Sequence, residues 1–169
     1  MGYEIRAFVA KKGTFEKFKA LSPYVTVAEL NQGFDLMLTD WCLSEALEIP
    51  DHSEVEGYVG LMLNRSTIEI AAKLSRTVPI AYIEADYHGG HGYQSAVVLK
   101  DGKVILKPDN NGVFNRSSSI GSTSPINAAL RALGVIVERT DEFETIGLSD
   151  HRSMEDWFVA NTDFDEDDY

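Results

Sequence analysis

Residues 79–108, PIAYIEADYHGGHGYQSAVVLKDGKVILKP, constrain the fold of this chain more than any other stretch. Residues 80–87 alternate, which predicts a strand with two distinct sides. One side would carry Ile80, Tyr82, Glu84 and Asp86, and the other Ala81, Ile83, Ala85 and Tyr87. A glycine-rich loop leads to a second predicted strand, and an Asp-Gly turn at 101–102 leads to a third. The three strands in this order predict an antiparallel meander.

The residues before the meander predict further strands and short helices. Strands are predicted over residues 3–10, 24–30 and 34–40, and short helices over 14–21 and 41–50. The second and third of these strands predict a hairpin, because Gly33 between them accepts the positive φ of a tight turn. Another helix is predicted to begin at Ser66, whose side chain would cap it while Glu69 completes a capping box.

After the meander, residues 124–134 predict a well-delimited helix. Ser124 is expected at the N-cap, Pro125 at the first helical position and Gly134 just beyond the end. Residues 135–140 predict one more strand. Together the elements predict an α+β fold, with an antiparallel sheet of hairpins and a meander packed with three or four short helices. Residues 1–162 are expected to form a single domain, and the acidic residues 163–169 a disordered tail.

The charge of the chain limits its partners. Fifteen Lys and Arg stand against twenty-seven Asp and Glu, which gives a formal net charge of −12 at pH 7. Such a field repels the phosphates of nucleic acids and anionic lipids, so direct nucleic-acid or membrane binding is not expected. A basic protein would be attracted. No leader or membrane-spanning stretch is recognised, and Cys42 is the single cysteine, so we expect a cytoplasmic protein.

The loop that joins the first two meander strands contains the most conspicuous possible site. Asp86, His88 and His91 are residue types that bind zinc or iron, and Asp86 and His88 would point to the same side of a strand. The sequence lacks a recognised metal-binding motif, however, and the glycines of this loop equally suit a hairpin tip that contacts another molecule. A metal-dependent enzyme using these three residues therefore remains the alternative to a binding protein without a cofactor.

A second possible site lies before the predicted helix at residue 124. Arg116, Ser122 and Ser124 would bring a guanidinium and two hydroxyls to a helix N-terminus, an arrangement that suits an anion. The same residues are also explained by a flexible loop followed by a capped helix. The sequence contains no recognised nucleophile with an adjacent base, so we assign no catalytic residue, and an enzymatic function is not supported.

Two segments of the second half, IEADYHGGHGYQSAVVLKDGKV and SPINAALRALGV…DEFETIGLSDHRSMEDW, resemble small acidic bacterial proteins of the immunity or antitoxin type. The resemblance covers about 75 residues and rests on the order of the elements, not on a catalytic motif. It implies a domain that neutralises a toxic enzyme by binding it. No functional residue can be carried over from the resemblance, because such proteins share no common inhibitory motif.

Charge and resemblance together favour an acidic protein that binds and inhibits a basic partner, such as a nuclease-type toxin. Charge would supply the rate of association and buried aromatic rings the affinity. The residues expected to contact the partner are Tyr58, Glu84, Asp86, Tyr87, His88, His91, Tyr93 and Trp157. The core is the alternative for each of the aromatic residues, and Trp157 is expected to lie at least partly in it. A further alternative is a DNA mimic that blocks several unrelated DNA-binding proteins. The sequence does not predict an oligomeric state.

Overall fold

A six-stranded antiparallel sheet organises the computed structural model, which describes residues 2–48, 65–89, 91–106 and 124–162. Its strands are β1 (Tyr3–Lys11), β2 (Val27–Leu30), β3 (Phe34–Leu38), β4 (Ile80–His88), β5 (His91–Lys100) and β6 (Lys103–Leu106). They lie in the order β2-β3-β1-β4-β5-β6. The predicted hairpin is β2 and β3, and the predicted meander is β4, β5 and β6, so both predictions are confirmed.

Helices cover both faces of the sheet. They are α1 (Glu16–Lys19), α2 (Trp41–Ala46), α3 (Arg65–Leu74), α4 (Pro125–Leu133), α5 (Glu142–Ile146) and α6 (Met154–Asn161). Apolar side chains of α1, α2 and α3 pack against one face, which we call the α3 face. Apolar side chains of α4, α5 and α6 pack against the other, the α4 face. The α+β class is thus confirmed, with six helices in the described ranges instead of the three or four predicted.

The middle strands are buried on both sides because each face of the sheet has its own core. In β1, Ile5, Ala7 and Val9 belong to the core of the α4 face. Phe8 and Ala10, between and beyond them, belong to the core of the α3 face. Hydrophobic residues on both sides of a strand are expected wherever helices cover both faces of a sheet. Across the described ranges, no helix is both long enough and apolar enough to cross a membrane.

The predicted limits of the helices are confirmed in one case and wrong in another. At α4, the Ser124 side chain accepts a hydrogen bond from the Asn127 amide, Pro125 opens the helix, and Gly134 follows its end with a φ of 96°. Ser66, by contrast, lies inside α3, which already includes Arg65. The predicted capping box of Ser66 and Glu69 is therefore wrong, because an N-cap residue precedes the first helical residue.

The strand predicted over residues 135–140 is also wrong, since this segment pairs with no strand of the sheet. A side chain takes the place of a neighbouring strand here. Nε2 of the Gln32 side chain donates to the carbonyl of Ile136 at 2.7 Å, and Oε1 of the same side chain accepts from the backbone amide of Ile136 at 3.1 Å. The apolar character of this segment is partly explained by Val135, which packs in the core of the α4 face, whereas Ile136 is exposed.

Candidate functional site

The α3 face changes from apolar to polar halfway along β1, β4 and β5. The strand register places side chains of these strands in rows across the sheet. Towards the centre, a row of Phe8, Tyr82 and Val97 is buried core. The next rows towards the β4–β5 turn are Arg6–Glu84–Ser95, then Glu4–Asp86–Tyr93, then His88 opposite His91. We call these eight residues the polar rows.

The inner row contains a buried carboxylate that two tyrosines approach. Glu84 is 1% exposed, and the Tyr82 hydroxyl donates to its Oε2 at 2.8 Å. The Tyr93 hydroxyl is also hydrogen-bonded to Glu84. Burial, and then the negative field of Glu84, raise the pKa of both tyrosines well above the ordinary value. Both hydroxyls therefore stay protonated and keep donating to the carboxylate, with the Arg6 charge opposing the shift only weakly.

The outer rows are more accessible and carry most of the charge. Arg6 forms an ion pair with Glu4 at 2.9 Å, and their side chains are 29% and 36% exposed. Asp86 is 34% exposed, and its Oδ1 lies 2.9 Å from Nε2 of His88, whose side chain is 72% exposed. Tyr93 is partly buried beside these groups. This part of the sheet therefore presents two carboxylates, an aromatic ring and two histidines next to a single arginine.

Two glycines shape the hairpin that carries the outer rows. A side chain at position 2 would meet the ring of His88, so Gly2 leaves room for that ring at the start of β1. Gly92 lies opposite Tyr87, and a side chain at position 92 would collide with the backbone of β4 and with the Tyr87 ring. The strands β4 and β5 can approach this closely only because Gly92 lacks a β-carbon.

The three predicted metal ligands are close in the chain but do not converge. Asp86 and His88 are in contact, and His88 pairs with His91 across the hairpin. Nδ1 of His91, however, lies 3.3 Å from the carbonyl oxygen of Gly89. In the part of the chain that the structure describes, no three histidine, cysteine or acidic side chains are grouped to hold a metal ion.

Tyr87 and Trp157, two aromatic residues expected at the partner contact, lie on the α4 face. The Tyr87 hydroxyl accepts from the Gln94 amide at 3.1 Å, and Gln94 in turn accepts from the Ile126 amide at the start of α4. Tyr87 therefore helps to fix α4 on the sheet. Trp157 is 3% exposed in the core, with the ring of His151 against it at 4.5 Å between centroids. Neither ring belongs to the polar rows.

Of the four remaining residues predicted to bind a partner or an anion, the structure describes only Ser124. Ser124 is the N-cap of α4, where its hydroxyl is occupied by the Asn127 amide at 3.3 Å. This contact is the helix cap that the sequence allowed as the alternative to an anion site. Tyr58, Arg116 and Ser122 lie outside the described residues. The predicted tail, residues 163–169, lies outside them as well.

Sequence reasoning missed Glu4 and Arg6. Both alternate with the buried Ile5 and Ala7 in β1, and this alternation is the only signal in the sequence that singles them out. Their place in the polar rows comes from strand pairing, because β1 lies beside β4 although about 70 residues separate the two strands. Strand neighbours this distant in sequence cannot be derived from local patterns.

A second acidic surface lies next to the start of β1. The amide of Glu4 donates to the carbonyl of Arg152 at 2.9 Å, which attaches the loop before α6 to the sheet. This loop and α6 border an open groove of about 490 Å³, lined in part by Asp150, Glu155 and Asp156. Hydrogen bonds from Ser153 and Arg152 lower the pKa of Asp156, so this carboxylate is firmly ionised. The loop before α6 and α6 itself thus carry a second group of carboxylates, attached through the backbone to the start of β1.

Comparisons with protein-family models, with curated proteins and with solved structures give no match for this chain.

Proposed function

We propose that this chain binds and neutralises a basic protein partner, such as a nuclease-type toxin, through the outer polar rows. The observation that carries the proposal is the change of the α3 face from a buried apolar core to accessible rows of charge around Tyr93. A half-buried ring among carboxylates combines the features of an interface that recognises a basic surface. Aromatic rings supply buried contact area, and carboxylates supply steering and register.

The burial of the expected contact residues narrows the proposed surface. Glu84 and Trp157 are 1% and 3% exposed, so they support neighbouring residues and do not reach a partner themselves. Asp86, His88 and His91 are accessible to different degrees and lie on one face of the hairpin. We therefore assign the contact to these three residues together with Glu4 and Tyr93. We include the acidic groove at α6, which the Glu4–Arg152 hydrogen bond attaches to β1, as a second part of the proposed contact.

Salt should weaken such a complex. Accessible charges are screened over roughly 8 Å at physiological ionic strength, so attraction acts locally between the acidic surface and the basic patch that it faces. The rate of association should fall steeply with added salt, whereas the rate of dissociation should depend on rings buried in the interface.

A pull-down from the source organism at low and high salt, with mass spectrometry of the eluate, tests the proposal. The bait is the full chain, compared with the double variant Asp86→Asn/Glu155→Gln. A matched control removes the same charge elsewhere on the surface, at Glu69 and Asp101, as Glu69→Gln/Asp101→Asn. We expect one dominant basic protein that salt releases, that the first variant loses and that the control retains.

The purified pair then provides the quantitative test. The Kd should rise with salt and should be raised at least tenfold by Asp86→Asn/Glu155→Gln, since two charged interface contacts would be lost. Equal binding by the two double variants would contradict the proposed surface. Capture of several unrelated DNA-binding proteins, in place of one partner, would instead favour the DNA-mimic alternative.

The contact between Asp86 and His88, with His91 opposite, also supports a second candidate, a metal-dependent enzyme. Carboxylate–histidine contacts orient ligands at many metal sites. This candidate predicts that the purified chain holds stoichiometric zinc or iron, and that the double variant His88→Ala/His91→Ala loses it. Metal analysis of both proteins, with Asp101→Asn as the control, distinguishes the candidate from partner binding without a cofactor.

A further inference from the structure

We infer that the outer polar rows contain a subsite for one arginine side chain of the partner, formed by the Tyr93 ring and the Asp86 carboxylate. The inference rests on the proposed function, because it specifies the chemistry of the partner at the same surface. Asp86 and Tyr93 are direct neighbours across β4 and β5. Side chains in such positions have β-carbons about 5 Å apart, so one incoming group can contact both.

The Tyr93 ring is suited to be a fixed platform. Its hydroxyl is hydrogen-bonded to the buried Glu84, and its ring is only partly buried. The ring therefore loses little freedom when a ligand stacks on it, which favours binding. A planar guanidinium stacks on an aromatic face and is attracted by its electrons.

The Asp86 carboxylate supplies the complementary charge. Oδ1 lies 2.9 Å from Nε2 of His88 and is buried without a hydrogen bond to any residue that the structure describes, whereas the side chain as a whole is 34% exposed. A guanidinium that stacks on the Tyr93 ring can still donate to the exposed part of this carboxylate, a combination that a lysine ammonium cannot reproduce because it lacks a planar face. Arg6 of the neighbouring row already pairs with Glu4 at 2.9 Å, so the sheet surface itself shows how a carboxylate here holds a guanidinium.

Glu4 is the third group in the same row and adds negative charge on the other side of Asp86. Because Arg6 occupies its Oε1, Glu4 contributes mainly through its field.

The inference can be tested without the partner, by nuclear magnetic resonance titration of the full chain at pH 8. The probes are N-acetyl-arginine amide, N-acetyl-lysine amide and the neutral isostere N-acetyl-citrulline amide. We expect saturable shifts of the amide signals of residues 4, 86 and 93 with the arginine probe. Binding of the lysine probe should be weaker by roughly threefold or more, and the citrulline probe should not saturate.

Two substitutions separate the ring from the carboxylate. Tyr93→Leu removes the platform and should abolish the preference for arginine over lysine, whereas Tyr93→Phe keeps the ring and should retain that preference. Asp86→Asn should remove most binding of both cations, and Asp101→Asn is the matched control. Equal affinity for arginine and lysine in the unsubstituted chain, or shifts spread evenly over all acidic residues, would overturn the inference without the need for any variant.

The outcomes also distinguish this inference from the proposed function. A captured basic partner whose affinity is unchanged by Tyr93→Leu would refute the arginine subsite and leave partner binding intact. Selective arginine binding, with no basic protein captured from the source organism, would support the subsite and refute the proposed function.

Discussion

Replacing Gly92 with alanine tests whether the close approach of β4 and β5 shapes the polar rows. A β-carbon at this position would lie 2.5 Å from Cα of Tyr87 and 2.7 Å from Cδ1 of its ring, and would also collide with the Asp86 carbonyl. Most of these atoms belong to the backbone, so they cannot move aside by a change of rotamer. The two strands would have to separate where Tyr87 pairs with Gly92.

The cost of the substitution follows from three effects. Overpacking against a fixed backbone costs about 1–3 kcal/mol, and each lost hydrogen bond between the strands costs about 1 kcal/mol more. The smaller conformational entropy of the unfolded alanine chain offsets about 0.4–1 kcal/mol. With one such hydrogen bond lost, we expect Gly92→Ala to lower the free energy of unfolding by about 1–4 kcal/mol, which shifts the urea midpoint by about 0.5–2 M.

Urea denaturation followed by circular dichroism measures this difference, with Gly89→Ala as the control in the same hairpin. Gly89 has a φ of 59°, and no atom lies within 4 Å of its would-be β-carbon. The control variant should therefore lose only about 1 kcal/mol, from the positive φ alone. A Gly92→Ala protein within about 0.5 kcal/mol of the unsubstituted chain would refute the argument, because overpacking of a fixed backbone costs more than that.

Three further predictions concern other parts of the molecule. Burial raises the pKa of Tyr82 and Tyr3, so the folded state keeps protons that the unfolded chain releases above about pH 10. Above that pH the free energy of unfolding should fall by roughly 1.4 kcal/mol per pH unit for each ring. Urea titrations at pH 9–11 measure this dependence of stability on pH, which Tyr82→Phe should make less steep. Burial also raises the pKa of the Cys42 thiol to about 11, so a thiol reagent at pH 8 should label the protein only after urea unfolds it, and rapid labelling of the native protein would contradict this. Ser124→Ala should cost about 1 kcal/mol in a urea titration because it removes the cap of α4, whereas Ser124→Asn, which can still cap, should cost much less.

The composition of the candidate site could be predicted only in part. The alternation of residues 80–87 correctly placed Glu84 and Asp86 on one side of a strand and Tyr87 on the other. It could not show that Glu84 is buried beneath two tyrosine hydroxyls, because burial depends on what packs above the strand. For Trp157 the sequence left both a partner contact and the core open, and the tertiary packing places its ring in the core.

Residue types that act on their neighbours in the sequence were sufficient to predict the meander and the first and last residues of α4. Residues 101–102 form a tight turn, and Ser124, Pro125 and Gly134 delimit a helix through interactions that span only a few residues. The central position of β1, and with it the row of Glu4, Asp86 and Tyr93, depended on the tertiary structure. The physical reason is that strand pairing joins residues far apart in the chain through hydrogen bonds between backbone groups, which every residue except proline can both donate and accept. Side-chain patterns therefore determine which segments become strands, and packing on both faces of the sheet determines which strands become neighbours.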